Sequence, residues 1–137
     1  MSDAAAMDSI TSMQAEVLTA LANPRRLEIL HLLAAGPREV GGIAAELGMT
    51  QPNASQHLAV MRGAGIVIAD RDGREVRYRI ADPDVIAACN LMRGVLSRRI
   101  ARLAALTETA TVTEMATVEP PTVTQPTTSK PMSEVVR

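Results

Sequence analysis

Between Thr50 and Gly65 the chain reads TQPNASQHLAVMRGAG, and its first eight residues are dense in uncharged hydroxyl, amide and imidazole groups. A helix facing only water is better filled with Glu and Lys, because Asn and Ser are poorer helix formers and Pro is tolerated only in the first turn. Neutral donors and acceptors at this density suit a surface that presents its own pattern of donors and acceptors. The edges of DNA bases are such a surface: Asn or Gln pairs bidentately with adenine, and a small apolar side chain lies against a thymine methyl. A second set of candidates is Arg71 and Arg74, which flank an Asp-Gly pair and whose guanidinium forks suit phosphates. A third is the one cysteine, Cys89, together with His31. No catalytic set accompanies them. The chain has no Gly-rich phosphate loop, no nucleophile beside a base in a strand-turn-helix setting, and no paired carboxylates in an apolar context, so no enzyme is expected.

Composition narrows the partner. At 137 residues the chain suits one domain with a modest core. Its one cysteine excludes an internal disulfide framework or a cysteine-cluster zinc site within one chain. The N-terminus lacks a basic region followed by an apolar stretch, and no run approaches the roughly 18 apolar residues of a membrane span. A cytoplasmic protein with no membrane partner is the expectation. Aromatics make up 1% of the residues, which removes base stacking as a mode of single-strand binding. The net charge is −1, but residues 23–106 hold twelve Arg and eight acids, a local net of +4, while both ends are acidic. The middle of the chain is moderately basic.

The elements that must position these residues follow from periodicity. Ile10, Met13, Val17, Leu18 and Leu21 mark a first helix that stops at Asn23-Pro24. Asn23 as N-cap and Pro24 at the first helical position start a second helix, which carries Leu27, Ile29, Leu30, Leu32 and Leu33 and ends at Gly36-Pro37. A short third helix is expected over about Val40 to Leu47, with Gly48 just past its end. The turn Gly48-Met49 leads to a fourth helix capped by Thr50 and stopped at Gly65. With Leu58 inward, about 100° per residue puts Ala54 and Met61 beside it and Asn53, Gln56, Ala59 and Val60 on the opposite face. The runs IVIAD and EVRYRI around RDGR then predict a two-stranded hairpin with its turn at Asp-Gly. A last long helix is expected from Asp84 to about Leu106, with a stripe at Val85, Cys89, Met92, Leu96, Ile100 and Leu103. Residues 1–9 are expected to be a flexible N-terminus. Residues 107–137, rich in Thr, Pro and Glu, are expected to be a disordered tail. Two helices joined by a tight glycine turn and followed by a hairpin make a winged helix-turn-helix: a mainly α fold of about five helices and a two-stranded wing.

The segments LANPRRLEILHLL, IAAELGMTQPNASQHLAVMRGAGIV and DGREVRYRI resemble, in order and spacing, the ArsR/SmtB family of bacterial winged-helix repressors. The likeness spans about Val17 to Ile100 and is most specific between Leu47 and Gly65, at Leu47-Gly48, Thr50-Gln51-Pro52, Ser55, His57-Leu58 and Gly65. It implies a homodimer held by the first and last helices, a palindromic double-stranded DNA operator and release by an inducer. It also implies DNA contact by His57, and with Asn53 and Gln56 from the helix face, Thr50, Gln51 and Ser55 at the matching positions complete the expected DNA-binding set of this helix. The length of the last helix independently suggests that its stripe meets a second chain. The alternative is a dimeric winged-helix module that binds protein instead of a specific operator.

The inducer is not specified by familiar ligands. Metal-sensing relatives carry a cysteine pair in the third helix, where this chain has AAELGM. The other family site uses Asp and His at the start of the last helix, with His and Glu further along it. Here that helix offers Asp82, Asp84 and CNLMRGVLSRRIARL, with no histidine. Carboxylates alone compete poorly for zinc, nickel or cobalt, so no metal cofactor is assigned. Some redox-sensing relatives keep one cysteine in the second helix and one in the last, near the positions of His31 and Cys89. Without a second thiol, sensing would need Cys89 to pair with its mate in a dimer or to share a metal with His31. The plainer expectation for Cys89 is a small packed hydrophobe. Met49, Met61 and Met92 fit a turn and core stripes in the same way.

Overall fold

The computed structural model describes residues 2–116, and side chains over 3–112. Five helices and three strands follow in the order α1 (Ser2–Leu21), α2 (Pro24–Leu33), β1 (Arg38–Glu39), α3 (Val40–Leu47), α4 (Gln51–Gly63), β2 (Val67–Asp72), β3 (Glu75–Ile80) and α5 (Asp84–Ala116). The chain divides into two units after Val95.

Within the first unit the helix boundaries have local causes. The Asn23 side chain accepts from the backbone N–H groups of Arg25 and Arg26, which satisfies two orphan donors of α2. The end of α3 needs a left-handed residue, and Gly48 supplies it at φ 62° and ψ 39°. After α4 the Ile66 N–H bonds back to the Met61 carbonyl at 2.9 Å, with Gly65 at φ 75° between them. Ile66 and Val67 thereby enter the core next to Leu58 and Met61, joined by Ile29 and Leu30 of α2 and Ile43 of α3. All seven side chains are fully buried.

The sheet is antiparallel in the order β1-β3-β2, one strand more than the hairpin expected from sequence. β1 is two residues long, with Arg38 opposite Tyr78 and Glu39 opposite Arg77, too short for any alternation to appear. In the hairpin Asp72 pairs with Glu75, so the two-residue loop is Gly73-Arg74 rather than Asp-Gly. The shift by one residue has a cause: primed hairpin turns need φ above zero at their first central position, and Gly73 stands at φ 62°.

Both ends of the described chain differ from expectation. Helix α1 begins at Ser2, across residues read as a flexible N-terminus. Ala4, Ala5, Ala6 and Met7 are good helix formers, and Asp3 in the first turn complements the helix dipole. Helix α5 runs to Ala116, ten residues past Leu106, into the segment read as disordered. Along that segment the hydroxyls of Thr107, Thr109 and Thr111 donate to the carbonyls of Leu103, Ala105 and Thr107, so each hydroxyl is satisfied within the helix. Residues 117–137 of the expected tail lie outside the described residues.

Candidate nucleic-acid interface

Helix α4 is divided by burial. Ala54, Leu58 and Met61 are fully buried, as the sequence spacing predicts. Asn53 and Gln56 are exposed on the far side, and so are Gln51 and Ser55. Thr50 is the N-cap: its side-chain oxygen accepts from the Asn53 N–H at 3.3 Å, and the hydroxyl retains its own proton to donate. Gln51 lies against the first turn of α3, where a Cβ on Gly41 would stand 4.0 Å from its Oε1. The first turns of α3 and α4 therefore share one face, the arrangement in which a helix-turn-helix sets one helix over the backbone and the other into the groove.

The N-terminal half of α4 is the open half. Val60 is 45% exposed, but with Gly63 and Ala64 it lines a groove whose other wall is Ala15, Glu16 and Thr19 of α1. Val60 is accordingly less free for a base contact than Asn53 or Gln56, although all three share the outer face. His57 differs again. It is partly buried, and its Nδ1 stands 3.4 Å from Nη1 of Arg26.

On the wing, the Arg79 Nε donates to Asp70 Oδ2 at 2.6 Å. That pair neutralises one guanidinium. Arg71 and Arg74 are exposed and enter no ion pair among the described residues, and Arg74 occupies the hairpin loop itself. Arg62, in the last turn of α4, and Arg77, opposite Asp70 in the sheet register, are exposed cations of the same kind that sequence reasoning passed over. The alternation of charge along EVRYRI was the available signal for Arg77.

The candidate sensor residues lie near α5. Cys89 is half-buried, and with Val17, Leu18, Leu21, Val85, Ala88, Met92 and Gln14 it lines a small apolar cavity between α1 and the start of α5. His31 sits in the last turn of α2, where burial and then the nearby Arg93 guanidinium lower its pKa below the ordinary value. Among the described residues no group of three or more His, Cys, Asp and Glu is placed to hold a metal ion, and no helix is long and apolar enough to cross a membrane.

Similarity to known proteins agrees with this geometry. The model of the bacterial regulatory protein arsR family matches residues 23–69. The uncharacterized HTH-type transcriptional regulator Rv0081 of Mycobacterium tuberculosis is 37% identical over 102 residues, covering 74% of this chain and 90% of that protein. The HTH-type transcriptional repressor SmtB of the same species is 45% identical over 67 residues, about half of each chain (49% and 50%). Among solved structures, the homodimeric winged helix-turn-helix DNA-binding domain of Mb0332 from Mycobacterium bovis matches with a TM-score of 0.65 and 38% identity, over 70% of this chain and 89% of that one. Rv0081 and SmtB are HTH-type transcriptional regulators and the Mb0332 domain is a DNA-binding one, which favours DNA over the protein-binding alternative.

Proposed function

Since this chain belongs to the arsR family of bacterial regulatory proteins and is a DNA-binding transcriptional regulator, we infer that it acts in the cytoplasm as a homodimeric repressor of a palindromic operator. The observation that carries this reading is the two-sided burial of α4, with Ala54, Leu58 and Met61 locked in the core while Asn53 and Gln56 stand exposed. A helix fixed on one side and armed on the other presents its amides at a defined depth and angle in the major groove. Asn53 and Gln56 read base edges. Thr50, Gln51 and Ser55, at the N-terminus of the helix, meet the adjoining backbone and bases, and Arg71 and Arg74 of the wing meet phosphates or the minor groove.

Dimerisation is supported by apolar surface that one chain leaves open. Met7, Ile10, Met13 and Leu18 of α1 are exposed, as are Leu91 and Met92 of α5. Residues this large and this numerous on two helices mark an interaction surface. A second copy supplies the cover and sets two α4 helices about 34–36 Å apart, one turn of B-DNA.

Hydroxyl-radical footprinting on the bound operator tests the arrangement. Two protected half-sites one helical turn apart are expected, and one isolated half-site would contradict it. Titration of that complex with zinc, nickel, cadmium, arsenite, peroxide and polysulfide then identifies the inducer by the release it causes.

A further inference from the structure

Arg26 joins three helices with one side chain. It lies in the first turn of α2, partly buried. Its Nε donates to the carbonyl of Ala20 in the last turn of α1, and its Nη1 reaches the Nδ1 of His57 on α4 at 3.4 Å. A guanidinium has donors only, so the second contact is a hydrogen bond when Nδ1 carries the lone pair and the imidazole proton sits on Nε2. The fork geometry of arginine lets one side chain hold two acceptors on different elements at fixed angles, which a lysine does not do.

This link is a polar tie between α1 and α4 beside the core they share through Ala20, Leu21, Ala54, Leu58 and Met61. Where the two helices face each other, an open groove is lined by Ala15, Glu16, Thr19 and Ala20 of α1 and by Val60, Gly63 and Ala64 on the other side, with Arg26 beside them. Apart from Val60, which is 45% exposed, the apolar side chains of that groove are small, and an open groove gives less packing restraint than a filled one. Leu58 and Met61 anchor the inner face. His57 lies on the partly buried flank of α4 between that core face and the exposed one, so the bond from Arg26 adds a polar restraint on the roll of the helix to the packing of Leu58 and Met61.

We propose that Arg26 is a positioning residue for DNA recognition: by holding His57 against the C-terminal end of α1 it sets the roll of α4 and thereby the aim of Asn53 and Gln56. His57 then works as the acceptor of this bond rather than as a base contact. The proposal rests on α4 being the recognition helix. Loss of the bond leaves phosphate contacts in place and misdirects the base contacts, so specific binding falls while nonspecific binding persists.

The test is a double-mutant cycle in the full chain, read as the ratio of affinity for the operator to affinity for a scrambled duplex at one salt concentration. Arg26→Ala and His57→Ala should each lower that ratio about tenfold, and the double variant should lower it no further than either alone, as expected for two residues acting through one contact. Arg26→Lys, which keeps the charge and loses the fork, should lower the ratio as well and serves if Arg26→Ala does not fold. Additive losses would overturn the proposal, since His57 would then touch DNA independently. An unchanged ratio with a lowered melting temperature would also overturn it, because Arg26 would be supporting the fold alone. Asn53→Ala in the same assay keeps the two levels apart: if it leaves base preference unaltered, the recognition-helix reading itself fails.

Discussion

Asn53 and Gln56 differ from Arg74 in what their loss should do. A bidentate amide distinguishes one base pair from the others, whereas a wing guanidinium attracts every phosphate alike. Asn53→Ala or Gln56→Ala should cost about 1–3 kcal/mol at the operator and relax preference at one position, while Arg74→Ala should weaken all sequences and lower the salt slope by about one. Competition assays with single-base operator variants separate the two patterns, and uniform loss from all three substitutions would remove the base-reading role. His31 carries a pH dependence. Its pKa is lowered in the fold, mainly by burial and then by Arg93, so the unfolded chain takes up the proton first. Stability is therefore full above about pH 6.5 and falls as the pH drops through that value toward the folded pKa. Thermal melts between pH 7 and 5 should show this slope in the wild type and a flatter one in His31→Gln. Cys89 sits among apolar side chains with no acid or imidazole lining its cavity. Cys89→Ser should cost about 1 kcal/mol for the hydroxyl placed there and leave release by every inducer unchanged. A variant that binds normally and ignores an effector that releases the wild type would make this thiol the sensor.

At the scale of elements, strong local chemistry was readable and weak local chemistry was not. The Asn23 cap, the left-handed Gly48 and the Ala54, Leu58 and Met61 stripe each follow from side-chain type and spacing. β1 is held only by its pairing with β3, a tertiary contact that leaves no period in two residues. The bond from Arg26 to His57 spans thirty-one positions, and nothing in either local pattern announces it. The hairpin loop was misplaced by one residue because Asp72-Gly73 and Gly73-Arg74 are both acceptable turn pairs, and the strand register decides between them. The continuation of α5 runs through threonines, whose low intrinsic helix propensity concealed it, and there their hydroxyls are satisfied by carbonyls one turn back. The side chains described beyond Leu106 are exposed. Truncation there should accordingly leave the melting temperature of the winged body within experimental error, measured by circular dichroism. A fall of several degrees would place a stabilising contact in the removed segment.

At the scale of the whole molecule, charge placement reconciles an acidic chain with an acidic partner. The overall pI near 6.1 argues against DNA only if charge is spread evenly, and here the exposed Arg62, Arg71, Arg74 and Arg77 belong to α4 and the wing. A dimer doubles that set and aligns it along one duplex, which makes affinity steeply salt-dependent while the amides of α4 keep it selective. Selection from a pool of randomised duplexes, followed by titration of the selected site and a scrambled one across salt, measures both properties together. The account predicts enrichment of an inverted repeat with half-sites one helical turn apart, bound at least about a thousandfold more tightly than the scrambled duplex and weakening on a log–log salt plot. A pool that yields no common sequence, with the two duplexes bound alike at every salt concentration, would contradict it.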